Sequence, residues 1–383
     1  MSARALGLEP LGADALPDGV RSRFLTDING LRVHLLEAGD PDKPGLLLLH
    51  GFPELAYSWR HVMPPLVDAG YHVFAPDLRG YGRTTGADTD YDGDLASYRR
   101  FNIVRDVLGV VAAMQCRTVA VVGHDFGSPI AAWCAVLRPD VFTAVALMSA
   151  PFPGPPALPE GDAGDRRASD SSLSGDLAAL RRPRKHYQQY YQTREANPNM
   201  WRAPQGVHDF LRAYYHVKSA DWPHNTPFRL SARSAVEMAR MPTYYVMDAA
   251  DGMAETVAKH MPSAQAVATN AWLPDAELAV YAAEYERTGF QGGLNHYRSG
   301  AIGMAEQQLF AGRGIEQPST FISGTADWGV YQSPGALERM RDEVCTDFRG
   351  VHLVEGAGHW VQQEQPVETV RLLVDFLRAA DRS

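Results

Sequence analysis

The chain has 383 residues, 45% of them hydrophobic and 21% charged, and a formal net charge of −9 at pH 7. That is enough apolar material for a core plus one insertion, and the negative balance, with no Lys/Arg cluster interleaved with aromatics, excludes nucleic acid as an expected partner. Cys116, Cys134 and Cys345 lie far apart without CxxC spacing, which argues against a disulfide framework or zinc site and fits a cytoplasmic protein.

Residues 1–20 carry scattered charges and lack an apolar segment, so no signal peptide is expected. No run approaches the roughly 20 apolar residues of a membrane helix, so no membrane association is expected. The first elements are short strands at 23–26 and 32–37, joined by the hairpin signal Asn29-Gly30. Mostly apolar runs at 45–49, 71–75, 118–122 and 143–148 read as strands covered on both faces, and helical patterns at 98–114 and 127–137 separate them. Antiparallel strands followed by parallel strands with crossover helices define a doubly wound α/β sheet.

The rhythm then stops. A Pro-rich stretch at 151–159 leads into the polar stretch 160–176, which reads as a loop, and 180–297 is aromatic and helical with no clear strand. Strands and helices return at 319–323, 334–343, 351–354 and 367–379. The division expected is a core of residues 20–155 and 300–383, with a helical lid at 156–299 and a polar loop near 160–180.

Gly123-His124-Asp125-Phe126-Gly127 follows an apolar strand and precedes a helix. A nucleophile elbow needs this pattern, because its central residue occupies a strained turn and small neighbours relieve the crowding. The central residue is Asp125. A carboxylate attacks an electrophilic sp³ carbon to give an alkyl ester, which water then hydrolyses. In isolation Asp125 would also serve as a helix cap, so its partners decide.

Those partners lie in later loops. His50-Gly51-Phe52-Pro53-Glu54 follows a strand and can aim the Phe52 N–H at the site, opposite that of Phe126, as an oxyanion hole. Asp327 follows the strand near 319–323 and His359 follows the last strand, in the order nucleophile, acid, histidine. His359 would activate water and Asp327 would orient its ring.

These motifs, with Asp77-Leu78-Arg79-Gly80-Tyr81-Gly82 and Gly358-His359-Trp360-Val361-Gln362-Gln363-Glu364-Gln365-Pro366, resemble the aspartate-nucleophile branch of the α/β-hydrolases, and specifically the soluble epoxide hydrolases. The resemblance spans about 24–152 and 307 to the C-terminus. It implies an α/β-hydrolase fold with an inserted helical cap, and two cap tyrosines that donate O–H groups to the epoxide oxygen. His186-Tyr187-Gln188-Gln189-Tyr190-Tyr191-Gln192 resembles the segment carrying the first, giving Tyr187, with Tyr190 or Tyr191 as alternative donors. The segment around Asn295-His296-Tyr297 resembles the second, giving Tyr297, although His296 stands where the family commonly has Trp.

The reaction expected is hydrolysis of a small apolar epoxide to a vicinal diol through an ester on Asp125, without cofactor or metal. Trp201, Tyr191 and Pro53 are the expected substrate contacts, and packing explains the lid aromatics Trp201, Trp222, Tyr214 and Tyr215 as well as a channel does. A homodimer is an allowed assembly. The rival reading is a haloalkane dehalogenase using the same triad, which would need halide donors where Phe126 and Phe52 stand. A hydrolase fold used only for binding typically lacks a triad member, and none is missing here.

Overall fold

A computed structural model describes residues 8–158 and 165–382, with the stretch 165–171 described by its backbone alone. β1 (Val20–Ile28) and β2 (Leu31–Ala38) form the hairpin expected at Asn29-Gly30. Both turn residues have positive φ, 49° and 79°, a conformation Asn and Gly adopt more readily than other residues.

The apolar runs become β3 (Gly45–Leu49), β4 (His72–Pro76), β5 (Val119–His124) and β6 (Phe142–Met148). Inside the lid lie β7 (Arg184–His186) and β8 (Val246–Asp248), and the core resumes with β9 (Ile315–Gly324) and β10 (Cys345–Val354). Eight strands pair in the order β1-β2-β4-β3-β5-β6-β9-β10, antiparallel at β1/β2 and β2/β4 and parallel from β4 onward.

Side-chain alternation divides the interior into two apolar layers. Leu47, Leu49, Val121 and Val145 face one layer, and Leu46, Leu48, Val122 and Ala146 face the other. Each fully buried Leu contributes about 1.5–3 kcal/mol to this packing. Helices Arg100–Ala113 and Gly127–Leu137 cover the first layer, and Pro366–Ala380 covers the second. The first layer continues upward into the lid through Tyr187, Tyr191, Tyr214 and Tyr281, so lid and core share one apolar cluster.

Two expectations are corrected. The polar stretch read as a loop is a helix from Asp165 to Ala178, and the expected loop positions 159–164 lie outside the described residues. Leu173 and Leu177, one turn apart, are buried, an i,i+4 apolar pair that composition over so many Asp and Ser residues hides. The lid is also not purely helical, since β7 and β8 pair antiparallel from Arg184↔Asp248 to His186↔Val246. Three-residue strands are too short to display a period-2 pattern.

Candidate active site

Asp125 sits at φ 49° between β5 and helix Gly127–Leu137. The flanking glycines are required by close packing. A Cβ on Gly123 would lie 2.1 Å from the Gly127 carbonyl oxygen, and one on Gly127 would lie 2.3 Å from that of Leu49. The turn thereby raises the carboxylate above the C-terminal edge of the sheet, where an open α/β sheet presents its reactive groups.

Asp327 and His359 reach the same edge from the loops after β9 and β10. His359 Nδ1 lies 3.1 Å from Asp327 Oδ1, and Nε2 lies 3.2 Å from Asp125 Oδ2. The second contact is close enough for an ion pair but poorly aligned for a hydrogen bond. Asp327 in turn accepts from Ser323 Oγ at 2.9 Å and Gly329 N–H at 2.7 Å. The Phe52 N–H donates to Asp125 Oδ1 at 2.9 Å, and the Phe52–Pro53 peptide bond is cis. Phe126 caps helix Gly127–Leu137 directly after the carboxylate.

Electrostatics keep the acid ionised. Burial pushes the Asp125 carboxyl up, but His359, then Lys218 and His124, pull it well below the usual carboxylate range. Burial likewise opposes ionisation of Asp327, and the charge and hydrogen bond of His359 overcome it. For His359, burial and the Lys218 charge favour the neutral ring, while Asp327 and Asp125 outweigh them and raise its proton affinity.

Aromatic rings roof the carboxylate. The Tyr297 ring lies 5.1 Å from that of Phe126, 5.1 Å from Tyr191 and 5.6 Å from Phe52. Tyr187 lies 6.2 Å from Tyr297, its hydroxyl donating to Gln332 Oε1 and accepting from Gln188 Nε2, both at 3.2 Å. Burial first, and the Asp125 charge second, push both phenols well above the usual tyrosine range, so both remain O–H donors. Tyr297 rides on helix Gln291–Arg298, which docks through glycine, because a Cβ on Gly292 would lie 1.9 Å from the Gly80 carbonyl oxygen.

The structure brings Asp125, Asp327, His359, Phe52, Phe126, Tyr187, Tyr191 and Tyr297 together. Tyr191 is fully buried and donates to Tyr214 at 3.1 Å. Pro53 lies in the turn beneath, its carbonyl accepting from Tyr215 at 3.3 Å. Trp201 is placed elsewhere: its indole N–H donates to Glu286 O at 2.9 Å, and it lines a separate cleft of about 530 Å³ with Tyr91 and Arg194. His296 donates its Nε2–H to the Arg79 carbonyl at 2.7 Å, and burial holds the ring neutral by lowering its pKa to about 3.

Several functional neighbours had no clear signal in the sequence. Glu54 is fully buried, 2.5 Å from His124 Nδ1, and accepts from Gln362 and Gln363 at 2.8 and 3.1 Å. An acid within the apolar turn Gly51–Leu55 was the available clue. Lys218, the last residue of helix Gly206–Lys218, is buried beside the triad. From sequence a lysine there reads as an ordinary C-terminal charge complementing the helix dipole.

The family model for the alpha/beta hydrolase fold matches residues 44–366. Epoxide hydrolase B of Mycobacterium tuberculosis is 34% identical over 361 residues, covering 92% of this chain and 97% of that protein. Epoxide hydrolase A of the same organism is 33% identical over 364 residues, covering 94% and 98%. Among solved structures, an epoxide hydrolase from an endophytic Streptomyces superposes with a TM-score of 0.77 at 33% identity, covering 96% of this chain and 98% of that one. Epoxide hydrolase I of potato, Solanum tuberosum, gives 0.73 at 29% identity, covering 94% and 99%. The chain belongs to the α/β-hydrolase family, in the branch of the epoxide hydrolases. No helix among the described residues is long and apolar enough to cross a membrane.

Proposed function

We propose that this protein hydrolyses epoxides to vicinal diols through a covalent ester on Asp125. The observation that carries the mechanism is an aspartate at the elbow, at φ 49°, with its carboxylate 3.2 Å from a histidine; burial favours the protonated form of the two nearby tyrosines, Tyr187 and Tyr297. Relatives bearing the name epoxide hydrolase along almost the whole chain support the reaction class.

Because the Phe52 N–H holds Oδ1, Oδ2 is the oxygen positioned to attack. It bonds to one epoxide carbon as that carbon's bond to oxygen breaks, and Tyr187 or Tyr297 donates a proton to the oxygen released. His359, oriented by Asp327, then takes a proton from water, which attacks Asp125 Cγ. The oxyanion forms on Oδ1 against the N–H groups of Phe52 and Phe126; its collapse passes the remaining water proton to the departing diol oxygen and restores the carboxylate, and the proton held by His359 returns to the tyrosinate.

The substrate class is a small epoxide with apolar substituents, in keeping with the rings of Phe52, Phe126, Tyr191 and Tyr297. The lid is taken as residues 156–299, and the free cysteines Cys116, Cys134 and Cys345 support a cytoplasmic setting. The test is diol production from a styrene-oxide-type epoxide by purified protein, run beside halide release from a haloalkane. Diol without halide, lost on Asp125→Asn, supports the assignment; halide without diol refutes it.

A further inference from the structure

The site described so far balances its charges with a residue that takes no part in the chemistry above. Lys218 is 3% exposed, and its ammonium lies 5.3, 5.2 and 5.4 Å from the ring centroids of Tyr214, Tyr245 and Trp360. Among the described residues no carboxylate pairs with it. An aromatic cage of this kind holds a cation in place by the negative faces of the rings without cancelling its charge.

The same residue is tied directly to the base. The Lys218 carbonyl accepts the His359 N–H at 2.8 Å. Gly358 leaves room for that contact, since a Cβ there would lie 2.5 Å from the Lys218 oxygen. Glu364 fastens the two segments, accepting the N–H groups of Ala220, Gly358 and Trp360 at 2.7, 2.9 and 3.0 Å. Trp360, a wall of the cage, packs its ring 4.7 Å from that of His359.

We propose that Lys218 is a positioning residue for hydrolysis of the ester, a caged positive charge that offsets the carboxylates flanking His359 and so leaves its ring free to take a proton from water. The proposal rests on the covalent route above. His359 stands between Asp125 and Asp327, and an imidazole between two carboxylates is held as imidazolium, which cannot act as a base. Alkylation removes the charge on Asp125 but leaves that of Asp327. A fixed cation in a dry cage then shifts the balance back toward the neutral ring, because charge interactions are strong where water is excluded.

The groups facing His359 are Asp125 and His124 from the elbow, Asp327 from the loop after β9, Lys218 from the lid, and Glu364 through their shared loop. Facing Lys218 besides His359 are the Asp125 carboxylate, whose ionised form it favours, and the phenols Tyr214 and Tyr245, which burial keeps protonated. Burial pushes Glu364 up to about 8 against its three N–H donors. That group is present in every variant compared, so its titration cancels.

The experiment follows the His359 ring by NMR across pH in substrate-free protein, and the rate of ester breakdown across pH in single turnovers. Lys218→Met and Lys218→Gln are the neutral variants, Lys218→Arg the conservative one, and circular dichroism confirms folding. Removing the cation should raise the His359 midpoint by about one unit and move the acid limb of ester breakdown upward with it, roughly a tenfold slowing on that limb. Ester formation should change less, and Lys218→Arg should restore the midpoint. A folded neutral variant whose His359 titrates as in the wild type overturns the proposal. Because the NMR arm uses no substrate, it reads the charge effect even where no ester forms, an outcome that would instead defeat the covalent route.

Discussion

Asp125 combines two properties that an ordinary helix cap does not need. Its φ of 49° lies in a region that non-glycine residues seldom occupy, and its carboxylate is held ionised in a buried site by His359, Lys218 and His124. Strain retained at a reactive group is a mark of function. Asn tolerates the same backbone conformation, so Asp125→Asn should fold normally yet lose steady turnover in freshly prepared protein. Unchanged diol formation there would remove Asp125 as nucleophile. His359→Gln should act later, slowing ester breakdown more than formation, so intact-mass spectrometry should find the alkylated enzyme accumulating. For the phenols, Tyr187→Phe and Tyr297→Phe should each lower the rate of ring opening, and the double variant should lower it by roughly 10²–10⁴, the usual contribution of a positioned acid. Stopped-flow ester formation measures this, and a double variant as fast as wild type would contradict the assignment.

At the scale of elements, the site depends on how closely the lid meets the core. Helix Gln291–Arg298 reaches the turn at Gly80 only because residue 292 lacks a side chain. Gly292→Ala would place a methyl group against backbone that cannot yield as a flexible side chain does, and overpacking of this kind costs about 1–3 kcal/mol. The expected outcome is a folded core with slower ring opening, because the displaced helix carries Tyr297, and ester breakdown changed less. Equal slowing of both steps would mean that the helix does not position the donor. The sequence displayed some elements clearly and others poorly, for physical reasons. β3, the hairpin at Asn29-Gly30 and helix Gly127–Leu137 follow from local signals: apolar runs, a turn dipeptide and a glycine-bounded elbow. Helix Asp165–Ala178 escaped because its helical signal is one Leu173/Leu177 pair in a polar background, and β7 and β8 because three residues carry no period. The triad was legible through its place at strand ends. The Lys218 cage was not, since it arises from Tyr214 on the same helix, Tyr245 and Trp360 brought together by tertiary packing.

For the molecule as a whole, partly buried ion pairs and a buried hydrogen bond join lid to core. Arg60 pairs with Glu277, Arg83 with Glu284 at 2.8 Å, and Ser58 Oγ meets Tyr281 at 2.8 Å. Beneath them Asp77 fixes the turn that seats the lid, accepting from Ala56 and Arg83 N–H at 2.8 and 2.9 Å and lying 2.7 Å from His34 Nδ1. Burial raises the Asp77 carboxyl, but His34, then His50 and the Arg83 N–H, lower it to about 2 from 3.8. A folded-state value below the unfolded one adds stability above the unfolded pKa, and that stability is lost as pH falls from about 4 to 2. The contribution is about 2 kcal/mol at neutral pH. Asp77→Asn should therefore lower urea stability at pH 7, with the gap to wild type narrowing as the pH approaches 2. A gap independent of pH would contradict the linkage.

The ester route requires that the oxygen added to the epoxide in the first turnover come from the Asp125 carboxylate and not from water. A single turnover of styrene oxide in ¹⁸O-water with enzyme in excess, followed by mass analysis of diol and peptides, tests it directly. The expected result is an unlabelled first diol and ¹⁸O in the peptide containing Asp125. Label in that first diol, with none in the peptide, would mean that water attacks the epoxide itself and would contradict the ester route.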